Sequence, residues 1–188
     1  MDSEWNFYTE GYKRAGDLLA QHGVTQGEQH ILVYPVVFLY RHYIELRLKE
    51  VVLTGNEILD HPIAPENYSH HDIDSLWREL KGILEEIDKE RLSELTEAER
   101  KKHVTDIGKL EKGIQRFSRW DPTSQTFRYA TDKNFNPFRP DLRSMSFGKL
   151  LSLVGTISYF LDAISTGLTC YLDAKHDLES ESSRWDNL

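Results

Sequence analysis

The segment 26–54 constrains the fold more than any other part of the chain. At about 100° per residue, Tyr34, Val37, Arg41, Glu45, Leu48 and Val52 share a narrow stripe, while Tyr40, Tyr43, Ile44 and Val51 cover the other directions. A helix that is apolar nearly all round has no face to give to water, so other elements must enclose it. No stretch shows sustained period-two alternation, which leaves helices to do the enclosing. Thr25 and Glu28 stand at capping-box spacing before the segment, and Gly55 is placed to stop it. Pro35 predicts a kink or a separate first turn.

Spacings of three and four residues predict four more helices. The first covers 4–21, with Trp5, Tyr8, Tyr12, Ala15 and Leu19 on one face and Gly23 as its stop. The third covers 70–89, capped by Ser69 and lined by Ile73, Leu76, Leu80, Ile83 and Ile87. The fourth opens on a Thr96 and Glu99 capping box and turns Val104, Ile107, Leu110, Ile114 and Phe117 to the core. The last covers 142–174 and repeats Leu150, Leu153, Ile157, Leu161, Ile164, Leu168 and Tyr171; its Ser152, Thr156, Ala163 and Gly167 allow a neighbour to approach closely. The expected fold is all-α, a five-helix up-down bundle with long loops after the second and fourth helices. Residues 1–175 form its single domain, and 176–188 a polar, frayed tail.

A chain of 188 residues and 22.0 kDa suits one core. With 39% hydrophobic residues, 8 Phe, 9 Tyr and 4 Trp, it carries too much bulky apolar surface to stay disordered. The 31 acidic and 23 basic residues leave a formal charge of -8, the wrong sign for a surface that grips phosphate everywhere. Nucleic acid would therefore need a local basic patch. Cys170 is the single cysteine, which excludes an intrachain disulfide or a thiolate zinc centre and predicts a reducing, cytoplasmic setting. The acidic first ten residues do not read as a signal peptide. The apolar run 150–172, interrupted by Asp162, reads as a core helix and not as a membrane span. Glycine-rich phosphate loops, dinucleotide fingerprints, His-Glu-x-x-His and calcium-loop patterns are all missing from the sequence. Ser146-Phe147-Gly148-Lys149 matches Ser-x-x-Lys without its partner motif. No cofactor and no metal site are expected.

Arg41 and Glu45 fall on the helix that should be enclosed, and buried charges need partners. They stand four apart, Lys49 continues the row, and His42 flanks it. The row reads either as an ion pair that fixes helix register or as a polar pocket on the central helix. Two other segments can feed such a pocket. His71 precedes Asp72 at the opening of the third helix, where it can reach inward. The loop segment 124–133 interleaves aromatic, cationic and acidic residues, and its Arg128, Tyr129, Asp132 and Lys133 suit stacking on a base and contact with a phosphate. The alternative there is a loop pinned by Phe127 in the core and by an Arg128 to Asp132 pair. Phe135 and Phe138, in the Pro-rich part of the same loop, call for a protein partner to cover them.

The runs Phe38-Leu39-Tyr40-Arg41-His42-Tyr43-Ile44-Glu45-Leu46-Arg47-Leu48-Lys49, His71-Asp72-Ile73-Asp74-Ser75-Leu76-Trp77 and Phe127-Arg128-Tyr129 resemble a prokaryotic branch of the HEPN superfamily. The resemblance implies a helical bundle, commonly a homodimer, belonging to a bacterial toxin-antitoxin or antiphage defence system. It also implies metal-independent RNA endonuclease activity in active members, carried by an Arg followed after four to six residues by His. This chain departs from that signature, since none of its eight histidines has an Arg five to seven positions before it. Catalysis would then be assembled from separate segments, with Arg41, His71 and Arg128 as catalytic residues and His42, Glu45, Lys49, Tyr129, Asp132 and Lys133 binding RNA. The alternative is a non-catalytic interaction or regulatory protein that dimerises through the last helix.

Overall fold

The computed structural model describes residues 3–63, 68–69, 71–89, 95–122, 124–138 and 146–185. Within them lie helices α1 (Ser3–Gln26), α2 (Gln29–Ile58), α3 (Ile73–Ile87), α4 (Glu97–Trp120) and α5 (Phe147–Trp185). Their one strand-like pairing is an isolated bridge between Thr131 and Pro137. The protein is an all-α helical bundle, and α2 is its centre. Val36, Val37, Tyr40, Tyr43, Ile44, Leu48, Val51 and Val52, on every side of α2, are fully buried. The helix runs on through Pro35 to Ile58, past the stop expected at Gly55.

Cross-helix contacts fix the directions. On α1, Asp17 meets Tyr40 and Glu10 meets Arg47, so α1 is antiparallel to α2. On α5, Asp162 meets Tyr43, Ser165 meets Glu50, and Lys175 donates to the carbonyl of Ile58, so α5 runs parallel to α2. On α4, Ser118 meets Asp74 and Glu111 meets Trp77, antiparallel to α3. The expected reversal fails at one step: α3 runs parallel to α2, with His71 beside Glu45 and Glu79 beside Asn56. His71, just ahead of α3, therefore lies level with the middle of α2.

Gly55 faces α3, and a Cβ added there would overlap Ile83 Cγ2. That methyl hangs directly on a β-branched carbon, whose χ1 is strongly restricted in a helix, so it cannot swing away cheaply. Gly55→Ala is therefore expected to cost about 1–2 kcal/mol net, overpacking outweighing the gain in helix propensity. Urea unfolding of the two proteins measures it.

Several helix ends differ from their sequence reading. The Thr25 hydroxyl donates to the carbonyls of Gln21 and His22 inside the last turn of α1 and caps nothing. Gly27, at φ 74°, reverses the chain in one step, which L side chains rarely tolerate. Asp72, not Ser69, caps α3, accepting from the Asp74 amide; His70 lies outside the described residues. Thr96 and Glu99 form the expected capping box. The start expected at residue 142 also lies outside the described residues, while α5 continues to Trp185, beyond the 176 boundary.

Faces differ too. Tyr8 and Val104, expected inside, are 68% and 70% exposed, because α1 packs through Thr9, Gly16 and Ala20 and α4 through Leu110, Ile114 and Phe117. Tyr171 of α5 likewise faces out. By length and composition alone, the span Phe147–Glu181 could cross a membrane, with a mean hydropathy of 1.3 and 33% of its most apolar window buried.

The loop after α4 is fastened at its root. Asp121 is buried, and its Oδ1 accepts from the amides of Gln125 and Thr126. Phe127 inserts into the core beside Tyr34, which fixes where Arg128 emerges.

Candidate functional site

Helical spacing puts Arg41, Glu45 and Lys49 on successive turns of one edge of α2. All three are buried, with Arg41 and Glu45 each 1% exposed. Glu45 is the hub. Its Oε1 accepts from Lys49 Nζ at 2.9 Å and from His71 Nδ1 at 2.8 Å, and its Oε2 lies 3.4 Å from Arg41 Nη1. Arg41 Nη2 donates to the carbonyl of His71. One buried residue therefore holds the His71 backbone and another holds its ring. The adjacent cap adds order, since the two Asp72 oxygens accept from the Asp74 amide and the Ser75 hydroxyl.

The His71 ring is half exposed. An ionised carboxylate can only accept, so the proton sits on Nδ1 and Nε2 is left as the free lone pair of the neutral imidazole. Burial pushes the Glu45 carboxyl up, but hydrogen bonds from Lys49 and His71 outweigh it and hold the group below the usual carboxylate range. Burial also disfavours the Arg41 charge, opposed by Glu45, Asp121, Asp72 and Asp74.

His42 lies beside this hub. Its ring stacks on Phe38 at 6.0 Å and meets Tyr12 edge-on at 4.3 Å. Burial lowers its pKa, Glu45 opposes the fall, and Arg128, His71 in its protonated form and Lys49 deepen it. The Arg128 guanidinium stands 5.7 Å from the ring centres of both Phe38 and Tyr129. His71, ahead of α3, and Arg128, in the loop after α4, thus both meet side chains of α2.

The expected residues separate into two groups. His71, Arg128, Tyr129 and Lys133 are open to a ligand, and His42 is partly so. Arg41, Glu45 and Lys49 are enclosed: Arg41 cannot touch a substrate as a catalytic group, and Glu45 and Lys49 cannot bind one. Asp132 serves its own loop, accepting from the amides of Asn134 and Asn136 and from Asn136 Nδ2, in place of a ligand or Arg128. Phe38 and Tyr12 complete the His42 wall, although the sequence marks neither as a site residue. The Phe38 to His42 spacing of four was a usable signal; the Tyr12 contact arises from tertiary packing.

A second polar cluster occupies the other side of α2. Arg47, 5% exposed, pairs with Glu10, Glu50 and Asp162, and burial raises the Asp162 carboxyl. A polar cleft of about 420 Å³ opens there, and an apolar groove of about 240 Å³ lies between α3, α4 and α5. Neither is lined by His71 or Arg128. Among the described residues, no three His, Cys, Asp or Glu side chains group so as to hold a metal ion.

Comparison of the chain with protein-family models, curated proteins and solved structures returned no match.

Proposed function

We propose that the protein is a HEPN-like module of a bacterial defence or toxin-antitoxin system that binds and cleaves RNA at the Glu45, His71 and Arg128 edge of α2. The observation that carries this reading is the pairing of a half-exposed imidazole with a buried carboxylate, His71 Nδ1 to Glu45 Oε1 at 2.8 Å. Such a pair fixes the tautomer and leaves Nε2 as a base toward solvent. In the proposed step, Nε2 takes the proton of a ribose 2′-hydroxyl, whose oxygen attacks the adjacent phosphorus. The 5′-oxygen leaves and takes a proton from water, giving a 2′,3′-cyclic phosphate and a 5′-hydroxyl. Arg128, exposed on the same edge, suits the charge that grows on the phosphoryl oxygens. Arg41 acts as a positioning residue through the His71 carbonyl.

The test is incubation of the purified chain with total RNA in the presence of EDTA. Cleavage that survives chelation and leaves cyclic-phosphate ends is expected; RNA left intact, or cleavage abolished by EDTA, overturns the metal-independent reading.

The second reading is a non-catalytic regulator that dimerises through α5 and works in the cytoplasm. It draws on the exposed Tyr159, Tyr171 and Leu178 of that helix. RNA bound but never cut, by a chain that elutes as a dimer, favours it.

A further inference from the structure

We propose that the loop after α4 carries a stacking arm for single-stranded RNA, with Phe135 as its base-stacking residue and Lys133 as a phosphate contact. The inference rests on the RNA reading of the neighbouring site and adds the class of strand it takes.

The arm is a closed turn. Phe138 N–H donates to the Ala130 carbonyl at 3.1 Å, Asp132 N–H to Asn136 at 2.9 Å, and Phe135 N–H to Asp132 at 3.0 Å. Asp132 ties the tip with three further bonds to Asn134 and Asn136. At that tip Phe135 has φ 62° and is 86% exposed. Bulky residues rarely enter this backbone region, and a ring held there by a tied turn gains nothing from the protein core.

Its surroundings point to a polyanion with flat faces. Tyr129 is also exposed on the arm, and Arg128 and Lys133 supply two cations. The arm's one carboxylate, Asp132, is engaged by its own turn. On a chain of net charge -8, this is a local basic segment, and its root meets the His42 wall through Arg128 and Phe38. A protein partner would explain the exposed ring but not the interleaved cations. Duplex RNA keeps its bases stacked on each other, so a ring offered in this way selects unpaired nucleotides.

The test uses the full chain carrying His71→Ala, so that binding is read without cleavage. Fluorescence anisotropy compares a labelled single strand with a hairpin duplex of the same composition. Phe135→Ala is expected to weaken single-strand binding roughly tenfold or more, and Phe135→Trp to restore it. Lys133→Ala should reduce the slope of log affinity against log salt by about 0.7. Unchanged single-strand affinity in Phe135→Ala, or equal affinity for the duplex, overturns the arm while cleavage by the wild-type chain leaves the parent reading standing. If neither RNA is bound nor cut, both fall. Because Phe135 lies on the surface, circular dichroism of its variants should match the parent.

Discussion

Glu45→Ala is expected to destabilise the protein by about 3–5 kcal/mol, the usual cost of leaving buried charges without their counterion. For a chain of this size that lowers the melting midpoint by roughly 6–20 °C. The cause is local. Arg41 and Lys49 bring their cationic groups inside the bundle, and Glu45 is the carboxylate that meets both. The pH dependence has a definite sign. The folded state holds the Glu45 carboxyl below the ordinary value of 4.5, so its contribution is fully present above that pH and is lost as pH falls through the lower folded value. Glu45→Ala should therefore lose stability less steeply than wild type below pH 4.5. Replacing the row together, as Arg41→Met, Glu45→Leu and Lys49→Leu, should recover much of the loss, because no charge is then buried alone. Thermal unfolding of the three proteins from pH 3 to pH 7 tests this. A triple variant that is stable yet inactive would separate the row's packing role from its role in holding His71.

The sequence and the structure agree where local chemistry decides. The all-round apolar character of α2 was legible because a helix without a polar face has no other place to go, and Arg41 and Glu45 were legible as enclosed for the same reason. The Thr96 and Glu99 capping box formed as spaced. What escaped was set by tertiary packing. Tyr8 followed the helical period but faces solvent, since the small residues of α1 lie against α2. No periodicity encodes the parallel course of α3, so the pairing of His71 with Glu45 could be anticipated only as an inward reach. Asp132 read as a ligand because an Asx turn and a binding carboxylate look alike in sequence.

The role of His71 as a base oriented by Glu45 is tested by the cleavage of a single-stranded RNA by His71→Ala beside wild type. Removing a positioned general base lowers the rate by about 10²- to 10⁴-fold. His71 lies outside the core and its ring is half exposed, so the melting midpoint should move far less than in Glu45→Ala. With EDTA present and both proteins folded, cyclic-phosphate ends are expected to accumulate with wild type, with close to none for His71→Ala. Equal rates in the two proteins would contradict it.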